Sequence, residues 1–221
     1  MFDMNYRIVT ERDGAVIVDT KEETKNFRFL PLISISVEAS VSNLTDFATV
    51  VLSGFLMNQK IGLEKYFKTG DKIKIYFGYG SVLNNEFEGY IDKCTYNGQD
   101  FIINCIDELF IFKKSVKDKE FKNVSLLKIM QYLASEVNSE IKIVTDVDLT
   151  YDKYVIHEAT AFDVLKKIAE DTKFNIFFLG NKNELHVHGA FIEKFGEVIY
   201  SMQQNVEKFD LTCLHIYHSL G

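Results

Sequence analysis

Leu32-Ile33-Ser34-Ile35-Ser36-Val37-Glu38 alternates apolar and polar residues from Ile33 onward, the period of a strand with one buried face. Lys72 to Phe77 repeats the pattern, with Ile73, Ile75 and Phe77 on one face and Lys72, Lys74 and Tyr76 on the other. Phe87 to Tyr96 and Phe101 to Ile106 are two further strands. The Asn97-Gly98 pair between them predicts a tight hairpin, because both residues tolerate positive φ. Weaker strands fit Tyr6–Thr10, Ala15–Asp19 and Thr49–Gly54, and Ile61–Phe67 suits a short helix ahead of Gly70. Short strands separated by turn signals about every ten residues predict an antiparallel sandwich or barrel, and we expect a β-barrel over residues 1–112.

The texture changes after Phe112. Lys113 to Lys119 is a charged run without apolar periodicity, which reads as a solvated crossing between two bodies. Ser125 is placed to cap a helix with Leu126, Leu127, Met130, Leu133, Ala134 and Val137 at three- and four-residue spacing. Thirty-five residues later Thr160 caps a second helix carrying Phe162, Leu165, Ile168 and Ala169, with Asp163 at the capping-box position. The same offset matches Ile141 and Ile143 to Ile176 and Phe178. This predicts two helix–strand units, the second closing through Gly180-Asn181-Lys182-Asn183 into Glu184–His188. Residues 113–190 are therefore expected to form a small α/β module. From Val198 the period of two returns weakly, so 191–221 reads as the start of a second β-domain, long enough for two strands and short of a barrel. The fold class expected is α+β.

Composition narrows the picture. One proline among 221 residues excludes a proline-rich linker, while 19 Phe and 11 Tyr suit a core packed with aromatic rings. The net charge is −7, and neither half of the chain is basic, which argues against a protein that grips nucleic-acid phosphates. It does not argue against nucleic acid passing through a pore, where attraction would hinder. Cys94, Cys105 and Cys213 are odd in number and set among apolar neighbours, so buried thiols are expected rather than a disulfide framework, in keeping with a reducing cytoplasm. The first residues lack the basic start and apolar run of an export signal. Apolar stretches such as Ile176 to Leu179 fall far short of the roughly 20 residues that span a bilayer, so no membrane insertion is expected.

Candidate chemistry is sparse. His186 and His188 would share one face of a strand, a spacing that can serve a metal. A third ligand would have to come from His157, His215, His218 or a carboxylate, and a solvated or hydrogen-bonded strand face is the plainer reading. No Gly-x-Ser-x-Gly elbow or glycine-rich phosphate loop occurs, and Gly78-Tyr79-Gly80 reads as a turn. Glu86/Glu88 and Glu170/Asp171 are carboxylate pairs of the kind chance supplies among 32 acids. Tyr76, Tyr79, Tyr90 and Tyr96 would stack on bases if exposed, but the accompanying basic groove is missing. We therefore expect no enzyme, no catalytic residue, no cofactor and no resident metal.

The order of the pieces is distinctive. Gly70-Asp71-Lys72-Ile73-Lys74-Ile75, then Gly78-Tyr79, then Phe87-Glu88-Gly89-Tyr90-Ile91 and Cys105-Ile106-Asp107 resembles the phage tail baseplate hub family of late-control proteins. The hub part of type VI secretion spike proteins is similar. Thr160, Asp163, Leu165, Lys166, Ile168 and Ala169 match that family's helix motif, and the likeness covers roughly residues 30–200. It implies structural positions at Gly70, Asp71, Gly78, Tyr79, Phe87, Gly89, Ile91, Thr160, Asp163 and Leu165. It also implies a homotrimer in which two similar barrels per subunit make a pseudo-sixfold ring between tail tube and central spike. DNA would pass through only as cargo. The location implied is the baseplate of a virion or contractile injection machine, assembled in the bacterial cytoplasm. The alternative is a peptidoglycan- or carbohydrate-binding module of a tail-associated protein.

Overall fold

The computed structural model describes residues 4–21, 32–40, 43–56, 59–79 and 82–189. Pro31, Gly80, Cys213, His215, His218 and the expected β segment 191–221 lie outside the described residues. The strands are β1 (Met4–Arg12), β2 (Ala15–Asp19), β3 (Leu32–Glu38), β4 (Phe47–Ser53), β5 (Phe55–Leu56), β6 (Gln59–Lys60), β7 (Lys72–Tyr79), β8 (Asn84–Asn97) and β9 (Asp100–Ile106). After them come β10 (Lys119–Ser125), α1 (Leu126–Val137), β11 (Lys142–Thr145), β12 (Thr150–Ile156), α2 (Ala161–Thr172), β13 (Asn175–Leu179) and β14 (Glu184–His188). Two 3-10 turns, Leu63–Lys65 and Glu108–Phe112, complete the set. The chain is thus a β-rich α+β fold with two α-helices among the described residues.

Alternation builds the first half as expected. Seven strands form one antiparallel sheet in the order β2-β1-β7-β8-β9-β4-β3. Register brings the apolar faces together across strands: Ile8 lies opposite Ile75, Ile75 opposite Phe87, Ile91 opposite Cys105 and Val50 opposite Ile103. Each of these side chains is buried, and with Leu63 and Phe67 they make one core. Asp13 and Gly14, both at positive φ, join β1 to β2 by a two-residue turn. The β8–β9 hairpin is present, with its turn one residue later than the sequence suggests. Asn97 is the last paired residue, opposite Asp100, and Gly98 carries the positive φ. A bulge between Ile91 and Lys93 lets the long β8 change register against β9.

The barrel expected from this pattern appears as an open sheet. β2 and β3 are its two ends, and no ladder joins them among the described residues. Period-two alternation is the same for an open sheet, a sandwich and a barrel, so closure is not written in it.

A second core begins at Leu109 and Phe112 and gathers α1, α2 and the later strands. The 35-residue repeat holds for the helices, but its stripe is shifted. The buried positions are Leu126, Ile129, Met130, Leu133 and Ala134 on α1, the first four matched by Ala161, Val164, Leu165 and Ile168 on α2. Leu127, expected inside, is on the exposed side. The repeat stops at the helices. β11 and β13 both flank β14, but β11 runs parallel to it and β13 antiparallel. Thr160 and Asp163 form the expected capping box, whereas Ser125 occupies the N-cap of α1 without a side-chain capping bond. The charged run 113–119 is solvated as expected, exposed throughout except at Val116, and it is pinned by two backbone bonds: Lys114 and Ala159 carbonyls accept from Ala161 and Val116 amides. The charged alternation that hid β10 pairs it with β12 in a two-stranded ribbon.

Candidate functional site

Five of the family-motif positions meet at the centre of the first sheet. Gly70, at φ +91°, donates its amide to the Ile91 carbonyl (2.8 Å), and Asp71 carbonyl accepts from the Ile91 amide (2.9 Å). The Asp71 carboxylate is buried and receives both Arg12 Nε (2.6 Å) and Arg12 Nη2 (2.7 Å), while Lys68 amide donates to it at 2.9 Å. This fork is the bidentate geometry in which arginine holds a carboxylate most firmly. Phe87, Gly89 and Ile91 continue the same buried face of β8. Gly78 and Tyr79 are elsewhere, at the far end of β7, with Tyr79 exposed; a Cβ on Gly78 would lie 2.1 Å from the Val82 carbonyl oxygen. Thr160 and Asp163 form the cap of α2, and Leu165 belongs to the second core on that helix's buried stripe.

Gly89 explains how the two cores are joined. A Cβ there would meet Ile106 O at 2.2 Å and Asp107 Cα at 2.8 Å, so the chain leaving β9 passes directly over β8 at a point only glycine permits. The next residues anchor the crossing. Asp107 caps the Glu108–Phe112 turn by accepting from Leu109 amide (2.9 Å), and accepts from Asp46 amide (3.0 Å). Glu108 accepts from the Gly180 amide in the β13–β14 turn (2.5 Å).

Burial, with the nearby Asp46 and Glu108 charges, pushes the Asp107 carboxyl from 3.8 up to about 6, against the pull of its backbone donors. A raised folded-state pKa means that stability is complete below the unfolded value and declines as pH rises through 6. From pH 4.5 to 7.5 the chain should lose on the order of 2 kcal/mol through this group. Asp107→Asn should flatten that part of the stability profile measured by urea unfolding; a profile identical to the parent's would refute the assignment.

A groove of about 710 Å³ lies where the two cores meet. Leu44 and Phe47 from the sheet side and Phe162, Phe174 and Ile176 from the module form its apolar wall, and Lys113, Lys166 and Lys173 stand at its rim. Lys113 pairs with Asp92 at 2.5 Å and sits 5.8 Å from the Phe162 ring centroid.

The other chemical candidates resolve into local contacts. Burial, then the Asp71 charge, raises the Cys94 thiol to about 11, and burial raises Cys105 further, so neither is a ready nucleophile. Glu88 pairs with Lys72 (2.8 Å) and Lys74 (3.4 Å), and Glu170 with Lys166 (3.9 Å). Of the four tyrosines, Tyr90 stacks on Phe110, Tyr96 packs on Phe101 and donates to Glu64, and Tyr76 lies under Arg7. His186 and His188 do share a face. Their facing nitrogens are 3.3 Å apart, and each outer nitrogen meets a carboxylate, Glu184 and Asp146 respectively. His157 lies just past the end of β12, bonded to Asp118. The Arg12–Asp71 and Asp46–Asp107 contacts had no sequence signal, because their partners lie 59 and 61 residues apart.

No protein-family model matches the chain, and no curated protein matches it in sequence. Solved structures do resemble it. The 43 kDa tail protein of prophage MuSo2 from Shewanella oneidensis matches with a TM-score of 0.50 at 17% identity, over 87% of this chain and 58% of that one. A tail protein from Neisseria meningitidis MC58 matches at 0.47 and 13% identity, over 82% and 51%. The Francisella PdpA–VgrG complex matches at 0.46 and 12% identity, over 87% and 32%. The chain therefore spans between about a third and three fifths of the chains it matches. The fold is one found in a prophage tail protein.

Proposed function

We propose that this chain is a structural component of the baseplate hub of a phage tail or a phage-derived contractile injection machine, joining tail tube to central spike. The observation that carries the reading is the match over 87% of its length to a prophage tail protein of the same fold. The chain acts by assembly and not by catalysis. Three copies surround the axis. Among the described residues β2 and β3 are the two unpaired ends of the large sheet, and through them the barrel closes or neighbours are joined, since a strand edge without a partner invites pairing. A net charge of −7 suits a conduit whose cargo is DNA, because like charge keeps the phosphates from adhering. The protein works in the virion baseplate after assembly in the host cytoplasm. Among the described residues no helix is long and apolar enough to cross a membrane.

Light scattering on the purified chain at micromolar concentration, alone and mixed with tube and spike proteins of the same tail, tests the reading. We expect a trimer or a stable complex with one of them. A strict monomer that binds neither, or that is instead retained on purified peptidoglycan, would overturn it.

A further inference from the structure

We propose that His186 and His188 form a divalent-metal site of the zinc type, independent of any role in a tail. Both side chains project from one face of β14, the central strand of the three-stranded sheet β11-β14-β13. The pair is held rigidly: Phe177, directly opposite His186 in the ladder, stacks on its ring at 4.8 Å and 10°, and lies 6.1 Å from that of His188.

The polar neighbours orient both rings. Glu184 Oε2 lies 3.2 Å from His186 Nε2, and Asp146 Oδ1 lies 3.0 Å from His188 Nδ1. A neutral imidazole carries one N–H, and a carboxylate draws it to the nitrogen it faces. His186 then donates from Nε2 and His188 from Nδ1, which leaves lone pairs on His186 Nδ1 and His188 Nε2. Those two nitrogens face each other at 3.3 Å. Either a proton, giving an N–H···N hydrogen bond, or a metal ion can occupy the space between them, and the spacing suits the metal. Two nitrogens each about 2.0–2.1 Å from a tetrahedral zinc ion are separated by about 3.3–3.4 Å. The carboxylate–histidine–metal arrangement on both sides supplies orientation and two negative charges to balance a divalent ion.

Among the described residues the two imidazoles are the whole contribution, because no group of three or more His, Cys, Asp or Glu there is arranged to hold a metal. Water or an added ligand fills the other positions, and the affinity expected is well below that of four-ligand structural sites, a Kd of about 10 µM. Imidazole donors suit zinc, nickel and copper, and not magnesium or calcium.

The test is calorimetric titration of chelator-stripped full-length chain with zinc chloride at pH 7.5. One equivalent should bind. His186→Phe and His188→Phe, which keep an aromatic ring against Phe177, should each weaken binding at least about tenfold, and Asp146→Asn about tenfold through loss of the orienting carboxylate. His157→Asn should leave the titration unchanged. Should a phenylalanine variant fail to fold, copper(II) broadening of histidine ring resonances in the parent chain gives a second readout, with His186 and His188 affected first. Absence of binding up to 1 mM zinc (roughly a hundredfold above the expected Kd), full binding by a folded His186→Phe/His188→Phe double variant, or broadening centred on other histidines would overturn the proposal.

Discussion

Gly89→Ala should lower the thermal midpoint by roughly 6–12 °C, corresponding to about 3 kcal/mol in a chain of this size. The cause is steric and local. The added methyl would sit 2.2 Å from a backbone carbonyl oxygen, Ile106 O, and 2.9 Å from its carbon. Backbone, unlike the end of a flexible side chain, cannot step aside without moving β9 or the turn that follows it. Either shift disturbs Asp107, Leu109 and Phe112, through which the large sheet passes into the second core. The damage should therefore reach both cores, seen as faster amide exchange in β8 and in the Glu108–Phe112 turn. Gly189→Ala is the control: among the described residues no atom beyond its chain neighbours lies within 4 Å of its Cβ, and no positive φ is required, so its effect should be small. Equal midpoints for the two variants would show that the β8 crossing is looser than described.

Removing one partner of the Arg12–Asp71 pair should cost nearly as much. The Asp71 side chain is 3% exposed, and Arg12 spans from β1 to the turn before β7 to reach it. Arg12→Met leaves a buried carboxylate with only the Lys68 amide to satisfy it, an expected loss of about 3 kcal/mol. Asp71→Leu should lose a similar amount. The double variant should be less destabilised than the sum of the singles by about 1 kcal/mol or more, because the second change removes a charge already left unpaired. Urea unfolding of all four proteins measures this; strict additivity would mean that the pair contributes no coupling. The large expected effects at Gly89 and Asp71 give a physical reason for these motif residues: they hold the centre of the sheet and its exit in shape.

Local patterns carried much of this fold. Ile73 and Ile75 point inward and Lys72 and Lys74 pair with Glu88 on the other face, as alternation predicts. Both helices start at the residues named by their caps. Alternation could not say which strands neighbour one another, and the insertion of β1 beside β7 is a matter of contacts about sixty residues apart. It also missed β10 and β12, whose exposed ribbon has few apolar residues to count. The Asp13-Gly14 turn between two weak strands went unread, although Asp-Gly is a strong hairpin signal. For the histidines, the shared strand face followed from the two-residue spacing. The feature that gives them chemistry, the Asp146 carboxylate 42 residues away, had no local mark.

The most direct measurement of the central claim is electron cryomicroscopy of tail particles purified from the cell that encodes this chain. We expect density for the seven-stranded sheet repeated three times about the tail axis, between tube and spike, with the β2 and β3 edges covered. Particles that lack the chain, or carry it as a single peripheral copy away from the axis, would contradict it.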